Sequence, residues 1–219
     1  MKRKDMTVQE KIAEAKIIAV LTIDCVENAV PLARTLLEGG IQAMELTLRT
    51  PQAMDCLVRI VNEVPEMLAG VGTVIRPDQV REAKTNGAAF AVSPGTNRAV
   101  LEEARQAGLF FAPGIATPSD IETALEFDCS IMKFFPAETS GGLPHLKSMA
   151  APYSYLGLQF IPLGGLNENN LQSYLADPLI PAIGGSWLAK PDEIRNADWE
   201  TILTRAKTAT QLAAEARIA

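Results

Sequence analysis

Short apolar runs alternate along the chain with longer amphipathic stretches, and this alternation predicts strands separated by helices. A repeated βαβα order is typical of a parallel sheet with helices packed outside it. Eight strands are enough to close a barrel, so we predict an α/β fold, a single (β/α)8 TIM barrel over residues 1–219. The predicted strands are 16–23, 41–48, 68–73, 88–93, 110–113, 130–134, 158–163 and 180–184.

Helix boundaries are marked by Pro and capping residues at the starts and by Gly at several ends. A short N-terminal helix, at about residues 5–15, is expected to cap the bottom of the barrel. No linker, low-complexity tract or repeat divides the chain, so one domain is expected. The alternative architecture is an open doubly wound sheet, but the turn after the first strand, at 22–25, lacks the Gly-rich pattern of a dinucleotide site. The other helices are predicted at 26–38, 51–63, 76–87, 97–107, from 117 onward, 167–175 and 198–215.

Charge and hydropathy narrow the classes of partner. The formal net charge is −6 and no dense cluster of Lys and Arg occurs, which argues against a nucleic-acid-binding protein. The longest apolar stretches have the length of strands, and the first residues are charged rather than apolar, so neither a membrane span nor a secretion signal is expected. We therefore expect a cytoplasmic protein whose partner is neither nucleic acid nor a membrane.

Cysteine and histidine are sparse. The three cysteines are widely separated and lack a CxxC pair, so we expect free, buried thiols. The sole histidine, His145, lies in a Gly-rich stretch that we interpret as a solvated loop. These spacings predict no metal site and no Ser-His-Asp triad.

Lys133 stands out among the polar residues near strand ends, where barrels of this kind carry their active sites. It lies within the apolar sequence 131–136, so its ammonium must either reach solvent, pair with a carboxylate, or occupy a pocket that disfavours the charged form. In the last case its neutral amine could attack a ketone and form a Schiff base. The residue alone leaves these interpretations open.

Glu45 is the second candidate, because strand alternation places its side chain on the same face as Thr47 and Arg49. One interpretation is a buried Glu45–Arg49 ion pair. The other makes Glu45 a general acid/base and Arg49 a clamp for a substrate carboxylate, to which its planar guanidinium is suited.

Two glycine pairs follow the last two predicted strands. Gly164-Gly165 follows the seventh, and Gly184-Gly185-Ser186 follows the eighth. Barrels of this kind often bind phosphate there through exposed backbone N–H groups. The alternative is that both pairs are only tight turns.

Taken together, these segments resemble the 2-keto-3-deoxy-6-phosphogluconate / 4-hydroxy-2-oxoglutarate aldolase family, a group of class I aldolases. The resemblance spans nearly the whole chain, and the joint occurrence of its blocks in the expected order is far more specific than any one motif. The matching blocks are 29–33, 45–50, 70–74, 93–95, 133–138, 164–165 and 183–188.

The resemblance implies that Lys133 forms the Schiff base and that Glu45 transfers protons. It also implies a homotrimer that needs no metal or organic cofactor. The carboxylate of pyruvate would be bound by Arg49 and Thr73. The remaining implied substrate-binding residues are Pro94 and, around the phosphate, Gly165, Gly184, Gly185 and Ser186.

One position departs from the family pattern. Members that act on sugar acids commonly carry Thr before the first glycine pair, whereas this chain has Leu163. Leucine cannot donate a hydrogen bond, which puts the preference among hydroxylated aldehydes in doubt. The expected substrates are 2-keto-3-deoxy-6-phosphogluconate and 4-hydroxy-2-oxoglutarate. Two alternatives remain at this point: a sugar-phosphate epimerase or isomerase, and a non-catalytic barrel that binds a phosphorylated ligand.

Overall fold

The computed structural model describes residues 6–216 and contains nine short strands within that range. Each of the eight predicted strand regions overlaps one of them. The ninth, two residues long, continues the fifth predicted strand beyond Pro113. The strands are β1 (Ile17–Leu21), β2 (Ala43–Thr47), β3 (Leu68–Gly72), β4 (Phe90–Val92), β5 (Phe110–Ala112), β6 (Gly114–Ile115), β7 (Ile131–Phe134), β8 (Gln159–Pro162) and β9 (Ile183–Gly185).

Helices fill the intervals between strands, and every predicted helical region contains one. The predicted start of the first helix, at residue 5, lies outside the described residues. The α-helices are α1 (Val8–Ala15), α2 (Ala29–Glu38), α3 (Ala53–Glu63), α4 (Pro77–Thr85), α5 (Arg98–Ala107), α6 (Pro118–Leu125), α7 (Gly142–Ala150), α8 (Leu171–Leu175), α9 (Pro191–Arg195) and α10 (Trp199–Glu215).

Two helices, α7 and α9, were not predicted. Gly141, which precedes α7, and Gly142, its first residue, have φ angles of 104° and 64°, so they turn the chain into the helix rather than forming an open loop. Pro144 then falls in the first turn of α7, where a backbone N–H has no intrahelical acceptor. His145 is therefore an exposed helix residue, and its predicted loop position is wrong.

The predicted closed (β/α)8 TIM barrel is also wrong. The strands form two separate parallel sheets, one in the order β5-β4-β3-β2-β1-β9 and one in the order β6-β7-β8. Pro113, between β5 and β6, has no N–H with which to continue a ladder. On the other side, β8 and β9 belong to different sheets, although the N–H of Phe160 in β8 donates at 2.8 Å to the carbonyl of Leu179, which precedes β9. The hydrogen-bonded ladder therefore does not close at either junction.

The two sheets nevertheless share an inner apolar core. Inward-facing residues of the larger sheet, such as Ile18 and Phe90, belong to the same buried cluster as Ile131 and Ile161 of the smaller sheet. The opposite faces of the strands pack against the helices. Ile12 of α1 is fully buried within the inner cluster, so α1 covers that core.

The cysteines are free, as predicted, although only Cys56 is fully buried and Cys25 and Cys129 are half-buried. Burial raises the pKa of the thiols of Cys56 and Cys129 to about 11. Both thiols are therefore poor nucleophiles near neutral pH. Within residues 6–216, no helix is long and apolar enough to cross a membrane.

Candidate active site

A cavity of about 740 Å³ opens at the carboxyl ends of the strands. Parallel pairing brings these ends to one edge of each sheet, so residues distant in sequence meet there. Of the nine predicted site residues, two do not line the cavity: Glu45, which contacts a lining residue, and Gly185, which is covered by a side chain. The seven that line it are Arg49, Thr73, Pro94, Lys133, Gly165, Gly184 and Ser186.

Lys133 and Glu45 form a buried pair that joins the two sheets. The Nζ atom of Lys133, on β7, lies 3.3 Å from Oε1 of Glu45, on β2, and their side chains are 7% and 2% exposed. Lys133 therefore does not reach bulk solvent, and the alternative pairing of Glu45 with Arg49 is wrong. A buried charge requires such a partner, so each residue fixes the position of the other.

Alternation along β2 explains where Glu45 points. Met44 and Leu46 pack against the helices, whereas Ala43 belongs to the inner core, which places Glu45 and Thr47 on the inward face. Gly72, on the neighbouring strand, makes room for the carboxylate, because a Cβ atom there would lie 1.6 Å from Oε1 of Glu45. The position of the Glu45 carboxylate on β2 therefore requires glycine at position 72 on β3.

Lys133 also has an aromatic neighbour and a backbone partner in the adjacent strand segment. Its backbone N–H donates to the carbonyl of Pro113 at 2.8 Å, which fixes the strand. Its Nζ atom lies 5.3 Å from the centre of the Phe135 ring. An aromatic face at this distance stabilises a cation, whether an ammonium or an iminium formed from the same nitrogen.

Arg49 and Thr73 lie at the mouth of the cavity. Arg49 is exposed, and within the described part of the chain its guanidinium has no hydrogen bond or ion pair. Thr73 has a φ of 61°, a left-handed conformation that is strained for a β-branched residue. Such strain persists where the surrounding structure imposes it, often at functional sites. The hydroxyl and the unpaired guanidinium can together bind a carboxylate.

The first glycine pair is a turn that also lines the cavity. Gly164 and Gly165 have φ angles of 96° and 88°, which favour glycine. The chain after β7 holds this turn, because the N–H of Glu138 donates to Gly164 at 3.0 Å and that of Ala137 donates to Leu163 at 2.7 Å. The turn is therefore fixed against the residues that follow Lys133.

The second glycine pair, Gly184 and Gly185, makes room for neighbouring side chains. A Cβ atom on Gly184 would lie 2.4 Å from Cγ of Leu163, and one on Gly185 would lie 1.5 Å from the Trp187 ring. Both glycines thus leave space for larger neighbours. The Trp187 ring occupies the space beside Gly185, which does not itself line the cavity.

Sequence reasoning did not single out several residues that line the cavity. Thr22, near the end of β1, could have been found by the strand-end rule that selected the others. Lys190 could not, since it precedes α9, a helix that was not predicted. The same cavity is lined by the apolar side chains of Val20, Phe135, Leu163 and Trp187.

A buried lysine held against a carboxylate, with an exposed arginine at the same cavity, defines a site equipped for Schiff-base chemistry on a keto acid. The comparisons agree with this class. The chain belongs to the KDPG and KHG aldolase family, whose model matches residues 8–205. KDPG and KHG denote 2-keto-3-deoxy-6-phosphogluconate and 4-hydroxy-2-oxoglutarate. This protein is thus an aldolase, a lyase. Neither the sugar-phosphate epimerase or isomerase nor the non-catalytic ligand-binding barrel is supported.

Individual relatives match over nearly their full length. The 2-dehydro-3-deoxy-phosphogluconate aldolase of Treponema pallidum is 40% identical over 94% of this chain and 98% of its own. The KDPG aldolase of Legionella pneumophila, solved with pyruvate captured as a covalent carbinolamine intermediate, has a TM-score of 0.87 at 35% identity and covers 93% of this chain and 98% of its own. The KDPG aldolase of Zymomonas mobilis, solved with 3-phosphoglycerate, has a TM-score of 0.85 at 34% identity and covers 97% of both chains.

Proposed function

We propose that this protein is a class I aldolase that cleaves KDPG to pyruvate and glyceraldehyde 3-phosphate, and KHG to pyruvate and glyoxylate. The observation that carries the proposal is the buried contact of 3.3 Å between Lys133 Nζ and Glu45 Oε1 beside the cavity. The covalent pyruvate adduct of the Legionella relative supports the same chemistry here.

In the first half of the reaction, Lys133 attacks the C2 ketone of the substrate. Glu45 accepts a proton from the ammonium, which leaves a neutral amine whose lone pair forms the C–N bond. The carbinolamine then takes a proton from Glu45 and loses its hydroxyl as water, which gives an iminium. The Phe135 ring, 5.3 Å from Nζ, lies close enough to stabilise this cation.

In the second half, the iminium accepts the electrons of the C3–C4 bond. Glu45, again a carboxylate after the loss of water, accepts the C4 hydroxyl proton, which releases the aldehyde and leaves an enamine on Lys133. Glu45, directly or through a water molecule, protonates C3 of the enamine. Hydrolysis of the resulting iminium frees pyruvate and regenerates the lysine, and the same residues catalyse condensation in reverse.

The remaining residues position the substrate. We assign the pyruvate carboxylate to Arg49 and Thr73, and the phosphate to backbone N–H groups of Gly165, Gly184 and Gly185 with the Ser186 hydroxyl. Pro94 contributes apolar surface to the same cavity.

Release of pyruvate from each substrate tests the proposed function. Pyruvate formation is followed by coupling to lactate dehydrogenase and NADH, with KDPG and KHG supplied separately. We expect turnover of both, because both present a C2 ketone and a C4 hydroxyl. Absence of pyruvate from either reaction, with folded protein, would contradict the proposal.

Leu163→Thr should raise kcat/KM for KDPG relative to KHG, since glyoxylate lacks the hydroxyls that a threonine could bond. Leu163 is 5% exposed and its side chain fills the space beside Gly184. One added hydrogen bond contributes roughly 0.5–1.5 kcal/mol, so the ratio should change by about 2- to 12-fold.

Leu163→Val is the matched control, because valine has the shape of threonine without its hydroxyl. Both variants are assayed with both substrates on the same preparations. An equal change for Val and Thr would show that position 163 acts through packing rather than through recognition of a hydroxyl.

We also propose that the chain forms one catalytic domain and a cytoplasmic homotrimer. Three large apolar side chains, Ile75, Tyr155 and Leu156, are 51%, 81% and 41% exposed in the single chain, which favours self-association. Sedimentation equilibrium should give a mass three times the 23.5 kDa of one chain. A monomer at micromolar concentration would contradict the trimer. Cell fractionation tests the cytoplasmic location.

A further inference from the structure

Lys190 lines the same cavity as Gly165 and Ser186. It is the residue that precedes α9, and its backbone N–H donates to Oε2 of Glu193 at 2.9 Å. This bond fixes the backbone and leaves the side chain exposed at the cavity.

The carboxylates near Lys190 are engaged by arginines. Both oxygens of Glu193 accept hydrogen bonds from Arg205 at 2.7 Å, and Arg205, with a smaller contribution from Lys190, lowers the pKa of Glu193 to about 2. Asp192 pairs with Arg195. Within residues 6–216, the ammonium of Lys190 itself has no hydrogen bond and no ion pair within 4.0 Å.

The charges at the cavity identify the group that Lys190 can bind. Lys133 is neutralised by Glu45, and Arg49 is assigned to the pyruvate carboxylate. A substrate with a carboxylate at one end and a phosphate at the other therefore still requires a cation for its phosphate. The glycine turns supply N–H groups but no full charge.

We propose that Lys190 binds the phosphate of the substrate and determines selectivity for the phosphorylated aldehyde. This inference rests on the proposed function. Because Leu163 offers no hydrogen bond to the aldehyde's hydroxyls, charge at the phosphate end carries more of the selectivity. A charge-assisted contact to an exposed lysine is screened by salt, so the selectivity falls as ionic strength rises.

The test compares KDPG with the same sugar acid lacking its phosphate, so that the hydroxyls are identical. Lys190→Met should lower the ratio of their kcat/KM values by about 5- to 30-fold, mainly through KM, and reduce its salt dependence. Lys190→Arg should retain most of the selectivity. Lys207→Met, at an exposed lysine of α10 that does not line the cavity, is the matched control and should change neither value.

An equal loss for both substrates, or no loss, would overturn the role of Lys190. Calorimetric titration with glycerol 3-phosphate separates this failure from failure of the proposed function, since it requires no turnover. Weaker binding to Lys190→Met than to wild type supports the inference even in a protein without aldolase activity. Unchanged binding would overturn it even if cleavage of KDPG is observed.

Discussion

Lys133→Arg and Lys133→Met should both abolish pyruvate release from KDPG and KHG. The reaction needs a nitrogen that can lose its proton and form a C–N bond, and arginine remains protonated while methionine has no nitrogen. Turnover is measured by coupled pyruvate assay, and folding by circular dichroism and thermal unfolding. A rate near that of the wild type in either variant would refute the role of Lys133.

Lys133→Met should be less stable than Lys133→Arg, which keeps a cation beside Glu45. Lys133→Met leaves the carboxylate of Glu45 buried without a cation, and breaking such a pair typically costs about 3–5 kcal/mol. The double variant Lys133→Met/Glu45→Gln removes both charges and should recover much of that loss without recovering activity. It thereby separates loss of chemistry from loss of fold.

Glu45→Gln should slow cleavage by on the order of 10²–10⁴-fold, the usual effect of losing a general acid/base. The amide keeps the shape of the side chain beside Gly72 but cannot transfer protons. Proton transfer is read directly by NMR, as exchange of deuterium from solvent into the methyl group of pyruvate. We expect slow exchange, although pyruvate still binds covalently to Lys133.

Glu63→Gln, at an exposed carboxylate of α3 paired with Arg59, is the control and should leave exchange unchanged. If Glu45→Gln exchanged deuterium at the wild-type rate, the proton transfer would belong to another residue.

Sequence periodicity located the strands because buried parallel strands must be apolar on both faces. Closure of the sheet was not predictable in the same way. It depends on which backbone groups meet at the junctions: Pro113 lacks an N–H between β5 and β6, and β8 and β9 belong to different sheets. The unpredicted α7 follows from two glycines that appear in the sequence as a loop signal but serve as a turn into a helix.

The chemistry of the site was easier to predict than its packing. Alternation placed Glu45 and Thr47 on one face, whereas the apolar run around Lys133 left burial as one of several interpretations. The sequence could not show that Gly184 accommodates Leu163. It also gave no signal for Lys190, because proximity to the cavity arises only once the chain after β9 has folded.

Trapping with borohydride detects the Schiff base on Lys133 directly. The protein is incubated with pyruvate, reduced, digested and analysed by mass spectrometry, with Lys133→Met and unreduced wild type as controls. The account predicts a reduced pyruvate adduct on the peptide that contains Lys133 and none in the variant. Absence of the adduct from active wild-type protein, or its appearance on another lysine, would contradict it.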